Sequence, residues 1–254
     1  MSTADDHAFQ AEMYDLFVRK THDVPFLLAE CRRAEGKVLE LMAGTGRVAV
    51  PLLEQGVRLS CLDRSPAMLA VLRQKLQHKG LSAPIYEMDV CQLSLGKRFD
   101  LIFIALNSFS LLMTLAGQRQ ALHGIRQHLA AGGRFICSLH NPKVRLQKPL
   151  GELYLLFEHP IEEPAGSMFV WGRFEYEPQV KRIRGHDFIE IYDAAGRMVR
   201  KWVMGIEYVL HARDGFEELV ETNGFRIEAM YGDYDRSEFD PETSPSMIYV
   251  MEKK

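Results

Sequence analysis

The chain has 254 residues, 47% of them hydrophobic and 26% charged, with a formal net charge of −3. That composition suits a folded protein large enough for one α/β domain with an insert, and its acidic balance excludes general binding to DNA or to an anionic membrane, which rests on clustered positive charge. No apolar run approaches the ~20 residues of a membrane span, and MSTADDHAF lacks the basic-then-apolar pattern of a signal peptide, so a cytoplasmic location is expected.

Two helical stretches come first, at about 9–20, containing Tyr14 in MYDLF, and at about 23–35. Residues 38 to 50, VLELMAGTGRVAV, then read as an apolar strand, a turn at Gly44 and Gly46, and a helix opening at Arg47. A glycine turn between a parallel strand and a helix presents backbone N–H groups and the positive helix end to a ligand. The spacing also fits the dinucleotide fingerprint in its Gly/Ala form, so the glycines alone do not distinguish NAD from other adenosine ligands. Glu40 does, because a carboxylate at the strand end repels a diphosphate and attracts a cation. S-adenosylmethionine, with an ammonium, a sulfonium and no phosphate, suits such an edge.

The next strand, VRLSCLD, ends in Asp63, nineteen residues after Gly44, where a carboxylate accepts from ribose hydroxyls. Ser65-Pro66 starts a helix with Met68, Leu69 and Leu72 on one face. APIYEMDV brings Asp89 to the same edge, and FDLIFIALNSF ends in Asn107 and Ser108. After a helix at 115–130 and the turn Gly132-Gly133, RFICSL forms a fifth strand ending at His140. This alternation predicts a doubly wound, mostly parallel sheet. From 150 to 210 the pattern changes to three strands, FVWGRFEY, HDFIEIYD and MVRKWVMGIEYVL, an antiparallel insert that either covers the cofactor crevice or extends a homodimer surface. A helix at 213–223 and the strands FRIEAMY and SMIYVME complete the sheet. The expected division is 1–149 for the cofactor core, 150–212 for the insert and 213–254 for the closing elements.

ELMAGTGRV, LDRSPAML, the acid at Asp89, FDLIFIALNSF and GFRIEAMYGDYD together resemble the class I S-adenosylmethionine-dependent methyltransferases, in particular bacterial small-molecule enzymes with a late antiparallel insert. The resemblance implies a seven-stranded Rossmann-like α/β sheet. It makes Glu40, Gly44 and Gly46 contacts of the methionine half, Asp63 the ribose ligand, and Asp89 with Val90 the adenine contacts. Ala43, Thr45, Arg64, Met68, Leu106, Asn107 and Ser108 complete the expected cofactor set, with Tyr14 on a helix that covers the cofactor in similar enzymes. One departure stands out. The family has glycine two residues after the acid, and this chain has Met42, so the turn must hold a side chain there.

Methyl transfer to an activated carbon needs alignment more than a fixed catalytic group. A base helps when the acceptor must lose a proton, and His140 at the end of the fifth strand is the candidate, set against its reading as a turn-packing histidine. His123 and His128 stand five apart on a helix and no HExxH or Cys/His cluster occurs, so no metal is expected. Cys31, Cys61, Cys91 and Cys137 lack CxxC spacing and read as reduced core thiols. Aromatic residues of the insert, with Arg173, Arg184 and His186, suit a small, partly apolar acceptor bearing a polar or acidic group. The sequence thus points to methyl transfer to an N or O atom of a small metabolite. The alternatives are an RNA or protein methyltransferase, against which the missing basic stripe and the absence of an NPPY-type motif speak, and a non-catalytic adenosyl-ligand protein on the same fold.

Overall fold

The computed structural model describes residues 11, 13–15, 18, 21–34, 36–162 and 165–254. Most of the helix expected at 9–20 lies outside them; residues 11 and 13–15 are helical. The chain divides into two compact units, one of Pro142–His211 and one made by the remaining described residues.

The larger unit holds a seven-stranded sheet. In chain order its elements are α1 (Val24–Ala34), β1 (Val38–Leu41), α2 (Ala49–Glu54), β2 (Leu59–Asp63), α3 (Pro66–His78), β3 (Ile85–Glu87), β4 (Phe99–Ile104), α4 (Leu115–His128) and β5 (Leu129–His140); α6 (Arg213–Thr222), β10 (Phe225–Tyr231) and β11 (Ser246–Lys253) follow the insert. Its strand order is β10-β11-β5-β4-β1-β2-β3, with β1 to β5 parallel and β11 antiparallel to both its neighbours. The order reverses between β1 and β4, which opens a crevice at their carboxyl ends.

Period-two alternation divides the core between the two faces of the sheet. Leu39, Leu41, Ile102 and Ile104 pack with Leu122 and Ile125 of α4 and Phe216 and Val220 of α6, whereas Val38, Leu101 and Phe103 pack with Phe26 and Leu27 of α1, Leu52 of α2 and Leu72 of α3. Glu40 has the parity of Val38 and is therefore driven toward the α1–α2 layer. That layer is tied down by Glu30, fully buried, which accepts from Arg134 of β5 and Arg236 beyond β10. Burial alone would raise the Glu30 carboxyl, but these hydrogen bonds outweigh it and hold it below the ordinary value.

β5 begins at Leu129, five residues before the expected RFICSL, and the predicted Gly132-Gly133 turn is an irregularity within it: the register slips between Phe99 and Leu101, and Gly132 sits at φ +69°. α2 opens at Ala49, not Arg47, because Arg47 and Val48 are still in the turn.

The smaller unit holds α5 (Pro142–Arg145) and an antiparallel meander, β6 (Leu153–Ile161), β7 (Gly166–Glu177), β8 (Arg182–Asp193) and β9 (Met198–Val209). The hairpin at 193–197 is pinned by Asp193 Oδ1, which accepts from Ala195 N and Arg197 N at 2.9 and 3.0 Å. The sequence reading gave three strands and missed β6. No residue of that edge strand is fully buried, and LYLLF lacks the alternation that marks a half-buried strand.

Candidate cofactor site

The turn after β1 is built from left-handed backbone. Gly44 and Gly46 stand at φ +55° and +81°, and Met42 at +58°, so the side chain that replaces the family's glycine is accommodated in a conformation that disfavours it. The two glycines serve different ends. A Cβ on Gly46 would lie 2.3 Å from Leu72 Cδ1, so that glycine lets α3 pack onto the turn, whereas a Cβ on Gly44 meets nothing within 4 Å. Gly44 is the open side. Ala43 is buried, and its N–H donates to Leu62 O at 3.0 Å. Thr45 points away: it is fully buried, its hydroxyl donates to Asp15 Oδ1 at 2.7 Å, and its carbonyl accepts from Lys75 Nζ at 2.9 Å.

Asp63, at the end of β2, is half-buried. Its Oδ2 accepts from Gly44 N and its Oδ1 from Ser65 N, both at 2.8 Å, so the acid read as a ribose ligand also sets the glycine turn and the start of α3. Ser65 caps that helix, accepting from Met68 N at 3.3 Å; Arg64 is exposed and Met68 half-buried. Asp89 plays the same part at the third strand end, where Oδ1 accepts from Cys91 N at 2.8 Å and caps a 3₁₀ turn containing buried Val90.

Glu40 is the electrostatic centre. It is 3% exposed, and its Oε2 has no hydrogen-bond partner among the described residues. Burial pushes its carboxyl up to about 8; Arg47 works against this, and Asp23 and Asp63 add to it. Arg47 itself grips Asp23 with both terminal nitrogens, Nη1 to Oδ1 at 2.7 Å; Asp23 is buried and the Arg47 side chain is 9% exposed. Tyr14 stands within the field of Arg47, Asp63 and Glu40, and burial raises its phenol to about 12. The tertiary fold therefore brings Tyr14 to the two acids.

At the end of β4, Leu106 and Asn107 are both left-handed, at φ +52° and +58°. Of the five positive-φ residues other than glycine among those described, three (Met42, Leu106 and Asn107) follow β1 and β4, the strands that flank the reversal. Asn107 N donates to Ser138 Oγ at 3.1 Å, and its Nδ2 lies 3.5 Å from His140 Nδ1. Its Oδ1 is buried with no partner among the described residues. Ser108 N donates to Ala105 O at 3.1 Å, turning the chain into a 3₁₀ segment. Burial pushes the phenol of Tyr234, beyond β10, above its ordinary value; Ser138 and Arg47 work against this and Asp23 adds to it.

Sequence reasoning missed Asp23, Arg47, Ser138 and Tyr234. Signals for three of them were present: Arg47 sits inside the glycine segment, Asp23 precedes Val-Pro at a helix start, and Tyr234 falls in GDYD.

A parallel sheet with an order reversal, a glycine turn, and acids at three successive strand ends are the features by which the chain resembles the class I S-adenosylmethionine-dependent methyltransferases. Residues 38–133 match the family model described as Methyltransferase domain, and this segment is a methyltransferase domain. The demethylmenaquinone methyltransferase of Thermus thermophilus is 32% identical over 107 residues, 41% of this chain and 47% of that protein. The chain thus spans less than half the length of two curated relatives it matches, 44% and 47%. Two solved structures share the fold over nearly the whole chain. An S-adenosylmethionine-dependent methyltransferase from Clostridium acetobutylicum is 17% identical with a TM-score of 0.81, covering 96% of this chain and 97% of that one. The sugar N-methyltransferase KedS8 from a Streptoalloteichus species is 19% identical with a TM-score of 0.73, covering 95% and 92%.

S-adenosylmethionine is the cofactor of this class, and the residues present fit it: the unpartnered Glu40 oxygen calls for a cationic donor, and the open side of Gly44 lets a ligand reach the turn.

Proposed function

We propose that the chain transfers the methyl group of S-adenosylmethionine to a nitrogen or oxygen atom of a small metabolite. The observation that carries this reading is the buried, unpartnered carboxyl of Glu40 beside a glycine turn whose amide is already held by Asp63. The Gly44 amide, already donated to Asp63, is not free for a diphosphate, and an ammonium favours the charged form of Glu40 and completes it. In this reading Glu40, Gly44 and Gly46 receive the methionine half, Asp63 the ribose, and Asp89 with Val90 the adenine, with Tyr14, Leu106, Asn107 and Ser108 closing the crevice. The test is calorimetry: S-adenosylhomocysteine should bind and NAD should not, and tight NAD binding without S-adenosylhomocysteine binding overturns the reading.

When bound, S-adenosylmethionine supplies a methyl carbon already activated by its sulfonium. The chain's own contribution is alignment and removal of the acceptor's proton. His140 takes that proton at Nε2 if Nδ1 carries a hydrogen, which requires Asn107 to present Oδ1 toward the ring. The oxygen and nitrogen of an amide exchange places by a simple flip, and the flip selects the basic tautomer.

The negative net charge supports a small acceptor over a nucleic acid, and KedS8, a sugar N-methyltransferase, supports a nitrogen acceptor. Among the described residues no helix is long and apolar enough to cross a membrane, and the reading places the protein in the cytoplasm. The inserted unit, which leaves the sheet at the carboxyl end of β5, is assigned acceptor selection and the contact of a homodimer. Variants in the insert should raise the acceptor KM with little change in S-adenosylhomocysteine affinity; equal loss of both in a folded variant overturns that assignment. Turnover on a panel of small amines and alcohols separates the enzyme from a non-catalytic binder.

A further inference from the structure

The inserted unit carries polar side chains whose bonding potential its own fold leaves unfilled. Tyr154 of β6 pairs with Gly172 of β7, and Gly172 pairs with Asp187 of β8, so Tyr154 and Asp187 stand in one row and project from one face of the sheet. Arg145, the last residue of α5, meets them there. Its guanidinium carbon lies 5.1 Å from the Phe174 ring centroid and 5.9 Å from that of Tyr208, and its Nε donates to the Tyr208 hydroxyl at 2.6 Å. Tethered and stacked in this way, the guanidinium is fixed in direction.

Three atoms of this cluster remain unsatisfied. Arg145 Nη1, the Tyr154 hydroxyl and Asp187 Oδ1 are buried and have no hydrogen-bond partner among the described residues. Arg145 and Asp187 form no ion pair, although each feels the other's charge: burial pushes the Asp187 carboxyl up to about 6 while Arg145 works against it. Neither residue is sealed, at 8% and 7% exposure. Leaving a guanidinium and a carboxylate close together, buried and unpaired is costly, and that cost is removed when something bridges them.

The chemistry of the bridge follows from the atoms. Nη1 needs an acceptor, Oδ1 needs a donor, and the phenol serves as either. One positive and one negative group balance, so the occupant is neutral. We propose that Arg145, Tyr154 and Asp187 form a binding site for a neutral polar group that presents an acceptor and a donor side by side, as a hydroxyl pair or a carboxamide does. This site lies within the inserted unit and goes beyond the methyl-transfer reading; its test reads binding and unfolding, not turnover.

The full chain is titrated with methyl α-glucopyranoside, a hydroxyl probe, and separately with acetamide, an amide probe, followed by NMR and thermal unfolding. One of the two should bind saturably and raise the unfolding temperature, and Asp187→Asn should weaken that probe about tenfold or more. Tyr154→Phe should weaken it similarly, which keeps the test decisive if Asp187→Asn does not fold. Without probe, Tyr154→Phe should unfold at or above the wild-type temperature, because it deletes a hydroxyl that the free protein leaves unsatisfied. Failure of both probes to bind overturns the proposal. So does a lowered unfolding temperature for Tyr154→Phe, which marks the cluster as a structural water bridge.

Discussion

Asp63 Oδ2 accepts the amide of Gly44 at 2.8 Å, fastening the end of β2 to the glycine turn that follows β1. One carboxylate therefore shapes the turn and, in the proposed function, holds the ribose. Asp63→Ala removes both its amide bonds, and a hydrogen bond to a charged group is worth ~1.5–3 kcal/mol. S-adenosylhomocysteine affinity should fall roughly tenfold to a hundredfold, and urea unfolding should show lowered stability. Unchanged affinity in the folded variant rejects Asp63 as a ligand.

Glu40 makes binding proton-linked. With its carboxyl at about 8 in the free protein, it is mostly protonated at pH 7, and a cationic ammonium beside it favours the charged form. Cofactor binding at pH 7 should release a proton, so the heat measured should vary with the ionisation enthalpy of the buffer and affinity should rise toward pH 8. Glu40→Gln should abolish the buffer dependence. The sign for stability is opposite to that of a paired carboxylate. The folded value lies above the ordinary 4.5, so the folded state binds more protons, and stability should fall as pH rises from about 4.5 to about 8. A profile unaltered by Glu40→Gln removes Glu40 from this role.

Gly44 and Gly46 should respond differently to alanine. Both have positive φ, which costs an alanine ~1–2 kcal/mol. Only Gly46→Ala also drives a Cβ into Leu72, so it should be the more destabilising variant by denaturant unfolding. Gly44→Ala should fold and lose cofactor affinity, since its methyl occupies the open side. Equal destabilisation by the two variants contradicts this division.

His140 and Asn107 should act together on rate. His140→Ala should lower kcat by ~10²-fold or more near neutral pH with S-adenosylhomocysteine affinity nearly intact. Asn107→Ala should lower kcat by releasing the ring's orientation, and it should add little to His140→Ala in the double variant. A His140→Ala rate within about threefold of wild type returns the residue to a packing role and leaves alignment as the main source of acceleration.

The glycine turn, the acids Glu40, Asp63 and Asp89, and the parallel sheet were legible in the sequence because each is a local pattern: a strand, a turn and a helix start within a dozen residues, repeated along the chain. The edge strand β6 was not legible, since LYLLF is apolar at exposed and half-buried positions alike, so its half-buried face leaves no alternation in the sequence. Nor were the partners of the buried charges. Asp23 meets Arg47 from twenty-four positions away, Glu30 meets Arg134 and Arg236 across 104 and 206 positions, and Tyr154, Asp187 and Arg145 converge only because a meander aligns two strands beneath a short helix. Sequence spacing determined which groups reach the crevice edge, because a strand end fixes its own direction. Which of those groups are paired and which are left with an empty valence was decided by packing alone, since burial and distance are properties of the folded chain and set both the Glu40 carboxyl and the orphaned atoms of the insert.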